Sequence, residues 1–448
     1  MLQTRPAKDW ISQLDGYGQA MAGAQPLIAT GRLRRSVGMT LEAEGLYVPI
    51  GVRCRIDAPG QMVEAEVVGF EQQRTFLIPL SDSQGLTPGA RVVPLAGVPQ
   101  TAVGDALLGR VIDGLGNPLD GRGEVETDTW AGASDGKSNP LTRKPVDEPL
   151  DVGVRAINAF ATIGQGQRMG LFAGSGVGKS VLLGMITRFT EADIVVVGLI
   201  GERGREVGEF IRDSLGSEAL RRAVVVASPA DTSPVHRIHA SQRATTIARH
   251  FRDQGHKVLL LMDSLTRYAQ AHREIALAVG EPPATRGYTA SVFARLSELV
   301  EASGNGAGDG SLTSVYTVLV EGDDHNDPVA DCARSFLDGH IVLSRSLAES
   351  GIYPALDVER SISRVMPAVT SELHRQDASQ FLRLYAAYEQ NRDLITVGAY
   401  AAGSDPVVDE AIARRPAMLE FIKQHFEQRD PLNQSLARLG GLFREQAG

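Results

Sequence analysis

The sequence predicts a three-part α/β protein, with a small N-terminal β barrel, an α/β core and a helical C-terminal domain. Short β-rich runs fill the chain up to Gly97, strand-sized runs then alternate with longer helical segments, and only helical periodicity remains from about Leu373 onward. A chain of 448 residues is also too long for one hydrophobic core. We therefore expect an N-terminal partner-binding segment at 1–25, the barrel at 26–97, the core at 98–372 and the helical domain at 373–448.

Composition and charge exclude several classes of protein. Apolar residues make up 43% of the chain and charged residues 22%, which is typical of a folded soluble protein. The longest apolar runs, such as Ile194–Val197, are strand-sized, whereas a membrane span needs roughly 18–20 apolar residues. Cys54 and Cys332 cannot form a disulfide framework or a Cys-based zinc site, and no signal peptide is apparent, so we expect a cytosolic protein. The net charge of −9 disfavours a general nucleic-acid binder.

Residues 1–25 carry a weak helical pattern. Apolar side chains fall at helical spacing at Trp10, Ile11, Leu14, Tyr17 and Met21. Two glycines within the pattern, Gly16 and Gly18, each weaken such a helix by about 1 kcal/mol. The segment is therefore either a marginal helix that orders on a partner or a frayed terminus.

Five short runs predict the strands of the next domain. They are Leu33–Glu42, Val52–Ile56, Met62–Phe70, Thr75–Leu80 and Arg91–Leu95. Turn clusters rich in Gly and Pro separate them. Several short strands at this spacing are typical of a small barrel or sandwich.

The core shows a longer period. Strand-like runs alternate with helical segments at Met169–Ala173, Ile194–Ile200, Ala223–Ala227, Val258–Met262, Val315–Val320 and Ile341–Leu343. This alternation predicts a parallel sheet covered on both faces. In the helical domain, one apolar stripe comprises Phe381, Leu384, Tyr385 and Tyr388, and Asp405-Pro406 is a good N-cap and N1 pair for a further helix.

The strongest motif directly follows the run Met169–Ala173. It is the P-loop pattern, with Ala where the first Gly usually stands, and it comprises Ala173, Gly174, Ser175, Gly176, Val177, Gly178, Lys179 and Ser180. The glycines let the backbone curl with its N–H groups pointing inward, and the N-terminus of the following helix adds positive potential. We expect Lys179 to reach the β- and γ-phosphates of a nucleotide and Ser180 to ligate Mg²⁺.

Two acidic residues follow other strand-like runs of the core. Asp263 ends the apolar run that begins at Lys257, and we expect it to hold Mg²⁺ through water as the acidic partner of the P-loop. Glu202 follows Ile194–Ile200, at the edge where ligands bind in open α/β sheets. We expect Glu202 to orient the attacking water and Arg203 to steady the γ-phosphate, whereas composition alone would favour a solvated charged loop.

Together these residues resemble the rotary ATPase α/β-subunit family. The stretch Pro354-Ala-Leu-Asp-Val-Glu-Arg-Ser361-Ile-Ser363 matches its signature motif, beside the P-loop and Gly201-Glu202-Arg203. The stretches Met262-Asp-Ser-Leu-Thr-Arg-Tyr268 and Asn391-Arg-Asp-Leu-Ile-Thr-Val-Gly-Ala-Tyr400 are similar to the flagellar branch of the type III protein-export ATPases. The resemblance spans about residues 25–440 and implies an α/β core of P-loop (RecA/F1-like) type.

The resemblance implies a Mg²⁺-dependent ATP hydrolase that binds ATP and ADP and energises flagellar type III protein export as a homohexameric ring. Glu202 resembles the family's carboxylate that activates water, and Arg364 resembles the arginine finger that completes the site of the neighbouring subunit. Tyr353 is similar to the aromatic residue that stacks on adenine. The plainer alternatives are a structural salt bridge for Arg364 and an ordinary buried aromatic for Tyr353.

The resemblance also implies partners and a location. The segment 1–25 looks like the docking point for a stator-like negative regulator and for the membrane surface. The family's other partners are a stalk-like export component, the export gate and chaperone–substrate complexes, without nucleic acid. The expected location is the cytoplasm, peripherally associated with the inner-membrane export apparatus.

Three other functions remain as alternatives to flagellar export. The first is the ATPase of a virulence type III secretion system, and the second is a subunit of a proton-translocating ATP synthase, which would need a second homologous chain. The third is an RNA- or DNA-translocating hexamer, which the negative net charge and the lack of an aromatic-plus-basic stripe over 31–97 disfavour.

Overall fold

A computed structural model describes residues 10, 14–17, 29–95, 100–132, 139–320 and 327–444 of the chain. These residues form two compact units, Met1–Gly97 and Val98–Gly448. Most of the helix expected within 1–25 lies outside the described residues, although residues 10 and 14–17 are helical. Among the described residues, every helix is too short or too polar to cross a membrane.

The first unit contains a closed six-stranded antiparallel barrel, which confirms the expected barrel. Its strands lie next to one another in the order β1-β2-β5-β4-β3-β6. They are β1 (Gly31–Val37), β2 (Thr40–Glu44), β3 (Arg53–Ala58), β4 (Gln61–Glu71), β5 (Arg74–Pro79) and β6 (Arg91–Pro94). Side chains of alternate residues fill the barrel, among them Leu33, Leu41, Ile56, Val67, Leu77 and Val92.

One expected strand of the barrel was wrong. The run Leu33–Glu42 is a hairpin of β1 and β2, in which Val37 pairs with Thr40 across a two-residue turn. Gly38 stands in this turn with a φ of 59°, a left-handed conformation that glycine adopts without steric cost. The continuous β-rich composition on both sides of Gly38 concealed the turn.

The second unit is built on an eight-stranded sheet in the order β16-β15-β10-β14-β13-β11-β12-β8. Its strands are β8 (Val111–Asp113), β10 (Arg168–Ala173), β11 (Ile194–Ile200), β12 (Ala223–Ser228), β13 (Lys257–Asp263), β14 (Ser311–Leu319), β15 (Gly339–Leu343) and β16 (Leu356–Ser363). All neighbours are parallel except β15 and β16, which are antiparallel. The strands β7 (Gln100–Ala102) and β9 (Trp130–Gly132) pair separately. The expected α/β core is confirmed, with β8 and β16 added.

Helices cover both faces of this sheet. In chain order they are α1 (Arg155–Phe160), α2 (Lys179–Phe189), α3 (Gly204–Glu209), α4 (Gly216–Leu220), α5 (Pro234–Asp253), α6 (Leu265–Ala278), α7 (Ala290–Glu301), α8 (Pro328–Phe336) and α9 (Arg345–Glu349), with a π-helical turn at Phe210–Leu215 between α3 and α4. Two apolar clusters result, one beneath α2 and one beneath α5, α6 and α7. Because both faces are covered, the central strands read as continuous apolar runs.

The C-terminal region is helical, as expected, and packs within the second unit. It contains α10 (Met366–Val369), α11 (Glu372–Thr396), α12 (Pro406–Ile422) and α13 (Leu432–Gly441). The ring of Phe381 lies 4.5 Å from that of Phe160 on α1 and 5.7 Å from that of Phe421 on α12, so α11 joins the core to the helical region. The side chain of Asp405 caps α12 as expected, because it accepts the N–H groups of Val407 and Val408.

Candidate active site

The P-loop connects β10 to α2 at the carboxyl edge of the sheet. Ala173 is the last residue of β10, and as an extended strand residue it needs no glycine, although the usual motif has one here. The loop then curls through Gly176 and Gly178, whose φ values of 79° and 89° lie in the left-handed region that favours glycine. Val177 between them is buried and anchors the loop in the core, while Ser175 is exposed.

The chain beyond Gly178 forms α2, so the first N–H groups of an eleven-residue helix face the loop. These groups have no partner within the helix, and the helix dipole favours an anion beside them. Lys179 is the first helical residue and Ser180 is the second. The Ser180 side chain is exposed at this end of the helix, beside the loop. The loop, the helix end and Lys179 together can bind a polyphosphate.

Lys179, Glu202 and Asp263 meet at one point, as the sequence led us to expect. The Lys179 ammonium donates to Asp263 Oδ1 at 2.5 Å and to Glu202 Oε1 at 3.1 Å. Burial disfavours the charged form of Lys179, but the two carboxylates outweigh it and raise its pKa above the ordinary value. Two carboxylates therefore hold the lysine that is expected to bind phosphate.

Parallel strands bring the three residues together. Asp263 is the last residue of β13, and Glu202 lies two residues beyond the end of β11, the neighbour of β13. The Glu202 loop is fixed to the end of β12 by two backbone hydrogen bonds, from Gly201 N–H to Ser228 and from Ala230 N–H to Glu202. Gly201 has a φ of 69°, and a Cβ atom there would lie 2.9 Å from the Cβ of Arg267. The turn therefore requires glycine at this position.

A small cavity opens beside this cluster. It is lined by Ser180, Leu199, Glu202, Glu206, Val207, Phe210 and Asp263. Glu206 stands in the first turn of α3, which begins two residues after Glu202, and its carboxylate lines the cavity together with those of Glu202 and Asp263. Sequence reasoning missed Glu206 because it reads as one more charged residue of a solvated helix.

Arg203 and Tyr353 occupy different environments. The Arg203 side chain is 80% exposed and lies 3.7 Å from Glu206, so it points to solvent rather than toward Lys179 and Asp263. The Tyr353 ring is half exposed and stands over the P-loop, because a Cβ atom on Gly178 would lie 3.5 Å from its Cε1. This placement suits a ring that stacks on a nucleotide base.

Arg364 lies far from Lys179 within the chain. Its N–H donates to Asp338 O, and the N–H of Asp338 donates in turn to Arg168 O, at the amino end of β10. The P-loop begins at the other end of β10, five residues later, which is about 17 Å along a strand. The exposed Arg364 guanidinium donates to Arg334 O. It therefore cannot contribute to the P-loop of its own chain.

The oxygen atoms at the site fit Mg²⁺ in the presence of a nucleotide. The Ser180 hydroxyl and the Asp263 carboxylate face the same cavity, and both are hard oxygen donors. Among the described residues, no group of three His, Cys, Asp or Glu side chains could hold a metal ion by itself. This pattern is typical of Mg²⁺ sites, in which substrate phosphates and water supply the remaining ligands.

Comparisons with known proteins agree with this site. Residues 153–363 match the sequence profile of the ATP synthase alpha/beta family, nucleotide-binding domain, and residues 370–441 match that of the T3SS EscN ATPase C-terminal domain. The flagellum-specific ATP synthase of Pseudomonas aeruginosa is 58% identical over 437 residues, covering 96% of this chain and 97% of that protein. The type 3 secretion system ATPase of Xanthomonas euvesicatoria is 46% identical, covering 89% and 90%.

Solved structures show the same fold. The assembled ATPase EscN of the enteropathogenic E. coli type III secretion system superposes with a TM-score of 0.87 at 41% identity, covering 92% of this chain and 99% of that chain. EscN in complex with its central stalk EscO superposes with a TM-score of 0.84 at 40% identity, over the same shares of the two chains.

Proposed function

The chain belongs to the ATP synthase alpha/beta family, among its flagellum-specific and type III secretion ATPases, and from this premise we propose that it hydrolyses ATP to energise flagellar protein export. The observation that carries the proposal is the meeting of Lys179, Glu202 and Asp263 beside the P-loop. One cation for phosphate, one carboxylate for metal and one carboxylate for water are three of the parts that ATP hydrolysis uses.

The residues of the chain divide the work. Lys179 exchanges its two carboxylate partners for the β- and γ-phosphates when the nucleotide binds, so that its charge stays paired throughout. Glu202, released from Lys179, accepts a hydrogen bond from the attacking water and holds it in line with the γ-phosphate. Tyr353 stacks on the adenine, whereas the solvent-directed Arg203 would have to turn inward to reach the γ-phosphate. Ser180 and Asp263 would hold Mg²⁺, which would neutralise charge on the phosphate oxygens.

A complete site requires a second copy of the chain. Arg364 lies at the opposite edge of the sheet from its own P-loop and is exposed, so it is available to a neighbouring subunit. We propose a ring of six identical subunits, in which Arg364 of each subunit faces the γ-phosphate in the next. The solved EscN structures are described as assembled, one with a central stalk, which supports a ring and a stalk-like partner for this chain.

The flagellar assignment is favoured over the virulence alternative by similarity. Identity to the Pseudomonas aeruginosa flagellum-specific protein is 58%, against 46% to the Xanthomonas euvesicatoria secretion ATPase. The proposed location is the cytoplasm beside the inner-membrane export apparatus. There the segment 1–25 binds a stator-like negative regulator. The ring itself interacts with the export gate and with chaperone–substrate complexes.

Two experiments test the proposal. The purified chain alone should release phosphate from ATP in a Mg²⁺-dependent reaction, whereas a synthase subunit would need a second homologous chain. Expression in a flagellate bacterium that lacks its own export ATPase should restore swimming. An active enzyme that restores needle-type secretion but not swimming would place the chain in the virulence branch instead.

A further inference from the structure

Thr317 lies at the centre of the sheet, close to the proposed Mg²⁺ site. It is part of β14, which runs between the P-loop strand β10 and the Asp263 strand β13. Its neighbour Tyr316 points to the opposite face and donates its hydroxyl to Ser303. Thr317 is fully buried, and its side chain is directed toward Asp263.

The Thr317 hydroxyl makes a short hydrogen bond to the carboxylate. Thr317 Oγ1 donates to Asp263 Oδ1 at 2.6 Å, and the same oxygen accepts the Lys179 ammonium at 2.5 Å. A hydroxyl has one proton, so the contact of 3.4 Å between Thr317 Oγ1 and the Met262 carbonyl is secondary. Both strong donors therefore hold Oδ1, and the Asp263 side chain also lines the cavity.

The two donors differ in what happens when nucleotide binds. Lys179 is expected to move to the phosphates, which removes one partner from a carboxylate whose side chain is only 6% exposed. Thr317 is part of a central strand and cannot leave. Leaving a buried carboxylate without a hydrogen-bond donor costs free energy and lets the side chain rotate. A donor that stays in place would prevent both when Lys179 moves to the nucleotide.

We propose that Thr317 is a positioning residue, whose hydroxyl keeps the Asp263 carboxylate in its observed orientation, in which it would bind Mg²⁺, after Lys179 has moved to the nucleotide. This inference rests on the proposed function, because it assigns a partner to the metal-binding carboxylate of that site. Thr317 itself is fully buried and does not line the cavity. Its effect passes through Asp263 alone.

A matched pair of variants isolates the hydroxyl. Thr317→Val keeps the shape and removes the donor, whereas Thr317→Ser keeps the donor and removes a methyl group. Binding of a fluorescent ATP analogue is titrated against Mg²⁺ and, separately, measured in excess EDTA. In Thr317→Val the Mg²⁺ concentration at half-saturation should rise about tenfold, since a hydrogen bond to a charged group is lost. Binding in EDTA should stay within about twofold of the parent, and Thr317→Ser should restore the Mg²⁺ midpoint.

Several results would overturn the inference. One is a Thr317→Val protein with the parental Mg²⁺ midpoint, and another is a Thr317→Ser protein as defective as Thr317→Val. Circular dichroism and thermal melting establish that each variant folds. If Thr317→Val does not fold, Thr317→Ala takes its place, and a parental Mg²⁺ midpoint in that variant refutes the role. A parent that binds the analogue but hydrolyses no ATP would refute the proposed function, while the Mg²⁺ comparison would still decide the role of Thr317.

Discussion

Replacing Arg364 with alanine should slow turnover about 10³-fold or more while leaving ATP binding nearly intact. Arg364 is level with Arg168 at one end of β10, and the P-loop begins about 17 Å away at the other end. That span exceeds the reach of an arginine side chain, so a role in hydrolysis has to be played at a neighbour's site. An arginine finger is worth about 10³-fold or more in rate, which corresponds to about 4 kcal/mol of transition-state stabilisation.

The assay is phosphate release over a range of protein concentrations. Parental specific activity should rise with concentration until the ring saturates, because a monomer has no complete site. Arg364→Ala should bind a fluorescent ATP analogue within about threefold of the parent, since the finger acts where charge develops in the transition state. Arg295→Ala is the control, because it removes an exposed arginine that pairs with Glu298 on a single helix.

Mixing two inactive chains is the decisive variant of this assay. Arg364→Ala supplies an intact P-loop, and Lys179→Ala supplies an intact finger. In a random equal mixture about a quarter of the interfaces would combine both, so about a quarter of the parental activity should return. Mixed rings can be detected by native mass spectrometry. If such rings form and the mixture stays inactive, or if parental activity does not depend on concentration, the role of Arg364 is refuted.

Two further predictions concern single side chains. Glu202→Gln should bind ATP, but its turnover should fall by about 10²-fold or more, because the amide cannot serve as an anionic acceptor for the water. An unchanged kcat would assign Glu202 to an ordinary solvated loop instead. Burial lowers the pKa of His272 to about 4, so the folded state holds this ring neutral while the unfolded state takes up a proton below about pH 6.5. The free energy of unfolding should therefore fall by up to about 3 kcal/mol between pH 6.5 and 4, and urea titrations should give a flatter pH dependence for His272→Gln. Equal slopes for parent and variant would contradict this.

The sequence was sufficient to predict the main parts of the site. Lys179, Glu202 and Asp263 each follow or end a strand-sized run, and the carboxyl ends of parallel strands meet at one edge. Their convergence therefore needed only the correct strands and the parallel arrangement. The same logic does not extend to Arg203, whose side chain points to solvent because it stands at the exposed start of α3.

Other features depend on which strands become neighbours. Thr317 lies in a long buried run, and nothing local marks it until the sheet order places β14 beside Asp263. Strand β16 is not evident from the sequence, because its Asp, Glu and Arg side chains are typical of a surface segment. As an edge strand, β16 leaves part of its side chains exposed, and the structure shows Glu359, Arg360 and Ile362 exposed. Glu206 likewise can be assigned to the site only once the structure shows that its side chain lines the cavity.

The central claim is that Lys179 binds the phosphates of ATP at this site, and nucleotide binding by Lys179→Ala tests it most directly. The control is Lys144→Ala, which removes a half-exposed lysine paired with Asp309. Binding of a fluorescent ATP analogue and phosphate release are measured side by side in both variants and the parent, after circular dichroism establishes that each is folded. Lys179→Ala should lose both binding and hydrolysis, because the contact stabilises ground state and transition state alike, while Lys144→Ala keeps both. A folded Lys179→Ala chain that binds and hydrolyses ATP like the parent would contradict the account.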